Sequence, residues 1–263
     1  MTVSAEERDR WVRRFRVCPE SHVRLVCFPH AGGSASYYFP MAQGLAPGVE
    51  VLAVQYPGRQ DRRQEPHIPT ISELADRVHE ALGGWTDRPY AFFGHSMGAV
   101  LAYEVAGRCE RQGGAPAPVW LFASGRSAPS RGVRGDVHRR DDEGILAELL
   151  RVGGTDRRLL DDEELKAAVL TATRNDYRAI ETYTHTPGTA LSCPVTALVG
   201  DADPKVGTDD ADAWREHTTG PFALRVLPGG HFYLSEQWPE VTATVTAALR
   251  QTFPAWEFEG SSS

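Results

Sequence analysis

A five-residue turn constrains this chain more than any other feature. Gly94-His95-Ser96-Met97-Gly98 follows the short apolar run 90–93 directly and precedes a helical run that starts at Ala99. A G-x-S-x-G turn set between a strand and a helix forces its serine into a strained backbone conformation, and the flanking glycines let neighbouring segments pass close by. The hydroxyl then stands above the sheet edge, at the partially positive end of a helix. Ser96 is therefore the candidate nucleophile. The plainer reading, a glycine-rich turn in which Ser96 only caps the helix, is disfavoured by the strand and helix on either side.

The rest of the chain supplies the sheet such a turn requires. Short runs that are apolar on both faces recur at 23–28, 49–56, 90–93, 119–123, 194–199 and 223–227, each bounded by Gly, Pro or polar residues. Buried parallel strands read this way. Helical patterns separate most of them. Ile71, Leu74, Val78 and Leu82 share one helical face with Ser72 as its N-cap; 99–109 reads as a helix; and 241–253, preceded by Pro239, closes the chain as an amphipathic one. The alternation predicts a mostly parallel sheet with helices on both faces. Between 128 and 190 no strand pattern occurs. Two helix patterns with acidic starts, 141–152 and 161–183, are separated by Gly153 and Gly154. We read this stretch as a helical lid inserted into one α/β domain spanning 1–263.

A serine hydroxyl needs a base. His231 lies in Leu227-Pro228-Gly229-Gly230-His231-Phe232, just past the last strand run and late in the chain, as the Ser…Asp…His order requires. His95 adjoins the serine and reads as packing beside it. The acid that orients the imidazole belongs after the preceding strand, in Gly200-Asp201-Ala202-Asp203-Pro204. Asp203 is favoured because it lies further into the loop and Pro204 stiffens it, with Asp201 as the alternative. The oxyanion formed by attack on a carbonyl needs positioned donors. The backbone N–H of Met97 and that of Ala31, in Pro29-His30-Ala31-Gly32-Gly33, are assigned to that task. His30 and Phe232 are candidate substrate contacts.

Composition narrows the remaining possibilities. The formal net charge of -7 opposes nucleic-acid binding. No apolar run is long enough to span a bilayer, and the first sixteen residues, rich in Glu, Asp and Arg, lack an apolar signal core. A cytoplasmic address is the expectation. Cys18, Cys27, Cys109 and Cys193 form no Cys-x-x-Cys pair, so neither a metal nor a redox site is expected.

Taken in order, five blocks resemble the type II thioesterases that accompany polyketide synthases and nonribosomal peptide synthetases. They are Phe28-Pro29-His30-Ala31-Gly32-Gly33; Tyr56-Pro57-Gly58-Arg59 with Glu65-Pro66; Phe93-Gly94-His95-Ser96-Met97-Gly98-Ala99; Gly200-Asp201-Ala202-Asp203; and Pro228-Gly229-Gly230-His231-Phe232. The resemblance implies an α/β-hydrolase fold and a Ser–His–Asp triad under a helical lid. It also implies an editing activity that hydrolyses short or unwanted acyl groups from the phosphopantetheine arm of an acyl or peptidyl carrier protein, with no cofactor. Leu146, Leu149, Leu150, Val169, Leu170 and Tyr177 give the lid an apolar face that could line an acyl chamber or hold the lid to the body. Carrier proteins are acidic where they dock, so the basic group Arg126, Arg131, Arg134, Arg139 and Arg140 at the lid entrance is a docking candidate, centred on Arg131, Arg134 and Arg139. Arg59, Arg62 and Arg63 form a second basic group with a structural reading. The rival readings are an esterase or chain-releasing thioesterase with the same triad, and a hydrolase-like protein that only binds a partner. No carrier domain precedes the blocks, which favours a stand-alone enzyme.

Overall fold

The computed structural model describes residues 5–112, 116–132, 135–154, 161–188 and 190–254. The six apolar runs become β2 (Val23–Phe28), β3 (Val49–Val54), β4 (Tyr90–His95), β5 (Leu121–Ser124), β6 (Val195–Gly200) and β7 (Phe222–Leu227). With a two-residue strand β1 (Val12–Arg13), they form one seven-stranded sheet ordered β1-β3-β2-β4-β5-β6-β7. Only the β1–β3 pairing is antiparallel; the others are parallel.

Alternation along each strand feeds two cores. Val26, Phe28, Leu52, Val54, Tyr90, Phe92, Leu121 and Ala123 face one. Leu25, Cys27, Val51, Ala53, Ala91, Phe93 and Phe122 face the other. Helices α3 (Ile71–Leu82) and α4 (Met97–Gln112) pack on the first face, beside α1 (Ala5–Trp11). The second is covered by α2 (Phe39–Leu45) and α8 (Leu234–Thr252). A short α7 (Thr208–Asp212) follows β6.

The starts of α3 and α8 differ from the sequence reading. The N-cap of α3 is Thr70, whose hydroxyl accepts the Glu73 N–H at 3.2 Å, while the Ser72 hydroxyl serves the Arg108 guanidinium at 3.1 Å. Helix α8 begins at Leu234, not at 241. Pro239 is tolerated inside it because the backbone breaks helical geometry at Gln237 (φ -114°, ψ 21°), and fully buried Leu234 anchors the early turn.

Between β5 and β6 the described residues hold no strand, but α5 (Asp142–Val152) and α6 (Glu163–Glu181), joined by the segment that contains Gly153 and Gly154. Asp141 and Asp162 cap them, accepting the N–H groups of Gly144 and Leu165 at 2.9 Å. A small core of Val137, Ile145, Leu149, Leu170 and Tyr177 binds the two helices together and meets Ala31 of the β2–α2 loop. No described helix is long and apolar enough to cross a membrane.

Candidate active site

Ser96 sits in the one-residue gap between β4 and α4, with φ at 55°. A non-glycine residue in that region costs about 1–3 kcal/mol and persists only where its surroundings enforce it. Here they do. The Ser96 N–H donates to the Ser124 carbonyl on β5 at 2.8 Å, and its own carbonyl accepts the Ala99 N–H at 3.0 Å. The glycines on either side are dictated by close approach: a Cβ on Gly94 would lie 2.1 Å from the Gly98 carbonyl oxygen, and one on Gly98 would lie 2.0 Å from that of Phe28.

Above this turn, His231 Nε2 lies 3.0 Å from Ser96 Oγ, and Nδ1 lies 2.8 Å from Asp203 Oδ2. With Nδ1–H directed to the carboxylate, Nε2 is left to accept the serine proton. The His231 and Asp203 side chains are 4% and 0% exposed. Asp203 Oδ1 accepts the N–H groups of Lys205 at 2.8 Å and Val206 at 3.3 Å, so the carboxylate is fixed from behind. Asp201 does something else. It is exposed and accepts the Gly229 N–H at 2.9 Å, tying the acid loop to the histidine loop. Geometry thus brings Asp203, and not Asp201, to the imidazole.

A cavity of about 230 Å³ opens on the serine. His30, Ala31 and Phe232 line it, together with Leu149, Val152, Val169, Thr173 and Tyr177 from α5 and α6. The His30 ring packs edge-on against Tyr37 and Phe232, at 4.6 and 4.7 Å between centroids. Burial, reinforced by His231 and Arg59, lowers the His30 pKa to about 3, so this imidazole is uncharged near neutrality. His95 is wholly buried, which holds its pKa well below the usual value, and its Nδ1 lies 2.9 Å from Ser124 Oγ. Ser124 in turn meets the Tyr233 hydroxyl at 2.6 Å, so His95 braces the elbow from below.

Leu149, Val169, Leu170 and Tyr177 belong to the lid's apolar face as read, but on α5 that face is rotated. Ile145 is buried in its place, whereas Leu146 is half-buried outside the lid core and Leu150 is 44% exposed. Lys205, two positions past the acid, reaches up to the lid: Nζ lies 2.9 Å from Glu148 Oε1 and 3.0 Å from the Tyr177 hydroxyl. Hydrogen bonding from Arg151, opposed by burial and aided by Lys205, holds the Glu148 carboxyl at about 2. Of the second basic group, Arg59 pairs with Asp176 of α6 and Arg62 pairs with Glu65 at 2.6 Å, whereas Arg63 is exposed. Tyr37, Thr173, Glu148 and Asp176 carry no motif, and only the fold gathers them. Of the docking residues, Arg131 lies 3.7 Å from Glu216, both about half exposed; Arg139 is exposed; Arg134 falls outside the described residues. Among the described residues no cluster of His, Cys, Asp or Glu could hold a metal ion.

Comparison with known proteins adds a family to this geometry. The family model described as a thioesterase domain matches residues 23–249. The chain is 51% identical to the thioesterase PikA5 of Streptomyces venezuelae over 243 residues, which cover 92% of this chain and 86% of that one. It is 50% identical over 249 residues to a probable cadicidin biosynthesis thioesterase of Streptomyces griseus, covering 95% and 68%. Among solved structures, the type II thioesterase BorB from the borrelidin biosynthetic cluster superposes with a TM-score of 0.86 at 48% identity, over 92% of this chain and 98% of that one.

Proposed function

Because the chain belongs to the thioesterase family, we propose that it is a type II editing thioesterase acting on acyl groups held by a carrier protein of a polyketide or nonribosomal peptide synthase. The observation that carries the mechanism is the unbroken chain from Ser96 Oγ through His231 to Asp203, set at the wall of a small lidded cavity. In this reading Ser96 Oγ attacks the thioester carbonyl while His231 Nε2 takes its proton. Asp203 stabilises the resulting imidazolium. The N–H groups of Met97 and Ala31 receive the oxyanion. Collapse of the tetrahedral species breaks the carbon–sulfur bond, and the pantetheine thiolate leaves with the proton from Nε2. Water, deprotonated by His231, then cleaves the acyl-Ser96 ester and returns the hydroxyl. Thioester and water become acid and thiol, and the cycle balances without a cofactor.

The cavity supports a preference for short acyl groups, since about 230 Å³ falls below the roughly 300–1,000 Å³ of sites for drug-sized ligands. Phe232 and the uncharged His30 contribute to its lining. The proposed setting is the cytoplasm, with the carrier protein as partner. One carrier loaded in turn with acetyl, propionyl and longer groups, followed by intact mass, tests the reading. Deacylation is expected to be fastest for the short groups and to fall by more than about 10³-fold in Ser96→Ala. Retained turnover in that variant would end the mechanism, and preference for simple aryl esters over every acyl-carrier would favour an esterase.

A further inference from the structure

The block Tyr56-Pro57-Gly58-Arg59 takes no part in the steps above, yet its arginine is buried. The Arg59 guanidinium pairs with Asp176 of α6, each side chain 4% exposed, and also donates to the Pro57 carbonyl at 3.0 Å and the Gly33 carbonyl at 3.3 Å. The same carboxylate oxygen of Asp176 accepts the Gly32 N–H at 2.8 Å. One lid carboxylate therefore fastens the loop that carries Ala31.

The local backbone shows what that bond decides. The Gly33 N–H donates to the His30 carbonyl at 2.9 Å, closing a turn with Ala31 and Gly32 at its centre, and Gly32 has φ +75°. A positive φ at the third position marks a type II turn, which differs from type I by the orientation of the central peptide. That peptide, Ala31–Gly32, is the one whose N–H ends on Asp176. Helix α6 also sits hard against the turn, since a Cβ on Gly32 would fall 2.5 Å from Thr173 Oγ1.

We propose that Asp176 is a positioning residue for the oxyanion donor at Ala31, with Arg59 aligning its carboxylate, so that the donor loop is set only while the lid helix is seated. The proposal rests on the reading of Ser96 as nucleophile and Ala31 as donor. Without the carboxylate the central peptide is free to flip, and the donor beside it loses its aim. Ground-state binding in the cavity is left largely as it was. The loss therefore falls on the transition state.

The test uses the full chain with Asp176→Ala and, because a lone buried arginine could unfold it, the double variant Arg59→Met with Asp176→Leu, which removes both charges. A fluorophosphonate titrates reactive Ser96, and an acetyl-pantetheine thioester gives kcat and KM per titrated site. A trifluoromethyl ketone of matching acyl length, which forms a tetrahedral oxyanion on the serine, reports the donors. Both variants are expected to lose about 10–100-fold in kcat, below the 10²–10³ for deleting a donor outright, with KM within about threefold and ketone affinity falling in step. A merely structural role would lower the titratable fraction and leave kcat per site and ketone affinity unchanged, and that result overturns the proposal. Failure of the wild-type Ser96 to react would overturn the underlying mechanism instead, so the two failures are told apart.

Discussion

Asp201 and Asp203 lie two positions apart and are chemically identical, so their division of labour is set by surroundings alone. Asp203 has no exposed side-chain surface and is held by two backbone N–H groups that fix its second oxygen on His231 Nδ1. Pro204 supplies no N–H of its own, and the two amides that follow it converge on the carboxylate. Asp201 faces solvent and holds the Gly229 N–H. Asp203→Asn keeps the shape but presents an amide where the imidazole N–H needs an acceptor. Its kcat is expected to fall about 10³–10⁴-fold, the scale seen when a triad acid is neutralised. Asp201→Asn retains an oxygen acceptor for Gly229 and should lose less than about tenfold, on the scale of one neutral hydrogen bond. Steady-state rates on a single acyl-pantetheine thioester check both; equal losses would mean that the acid role is not confined to Asp203.

At the scale of elements, what could be read depended on whether a segment's own pattern decided its state. The parallel strands β2 to β6 were legible because both faces are buried, and a helix follows nearly every one; the edge strand β7 is only partly buried and was read from its apolar residues alone. Strand β1 was not, since two residues carry no period. The start of α3 was misplaced because Thr70 and Ser72 offer the same chemistry, and only burial of Ile71 selects the first. The lid's inner face was legible on α6, but on α5 Leu146, Leu149 and Leu150 look alike in sequence, and packing against α6 chose Ile145 and Leu149. The triad was legible through its glycine-rich turns. The Arg59–Asp176 pair joins residues 117 positions apart and left no local trace.

The lid's second tie makes a prediction of its own. Glu148 titrates at about 2 when folded against 4.5 for a free carboxyl, so as pH falls below about 4.5 protons bind first where α5 has come away. The stabilisation is fully present above that value, amounts to on the order of 3 kcal/mol at 1.36 kcal/mol per unit, and disappears toward pH 2. Amide exchange in α5 should therefore be faster in Glu148→Gln than in wild type at pH 6, with the gap narrowing through pH 3 and closing toward pH 2. A gap independent of pH would show that the charge on Glu148 holds nothing.

For the molecule as a whole, a net charge of -7 would repel an acidic partner unless cations were concentrated where the two meet. Arg139 is exposed, and Arg131 shares a 3.7 Å, half-exposed contact with Glu216, whereas Arg140 is engaged by Asp136 at 2.8 Å. Reversing Arg131 and Arg139 to Glu should raise KM for an acyl-carrier about tenfold and leave a small thioester untouched, an effect that shrinks as salt screens the encounter. Equal losses on both substrates would remove these residues from docking. The elbow carries a consequence of another kind. What stands in the way of a methyl group at Gly94 and at Gly98 is carbonyl oxygen of the main chain, which every amino acid supplies alike. No substitution elsewhere could carve out the missing room, so a lineage that lost either glycine would have a single way back, by reversion of that codon, however freely its lid and surface drifted.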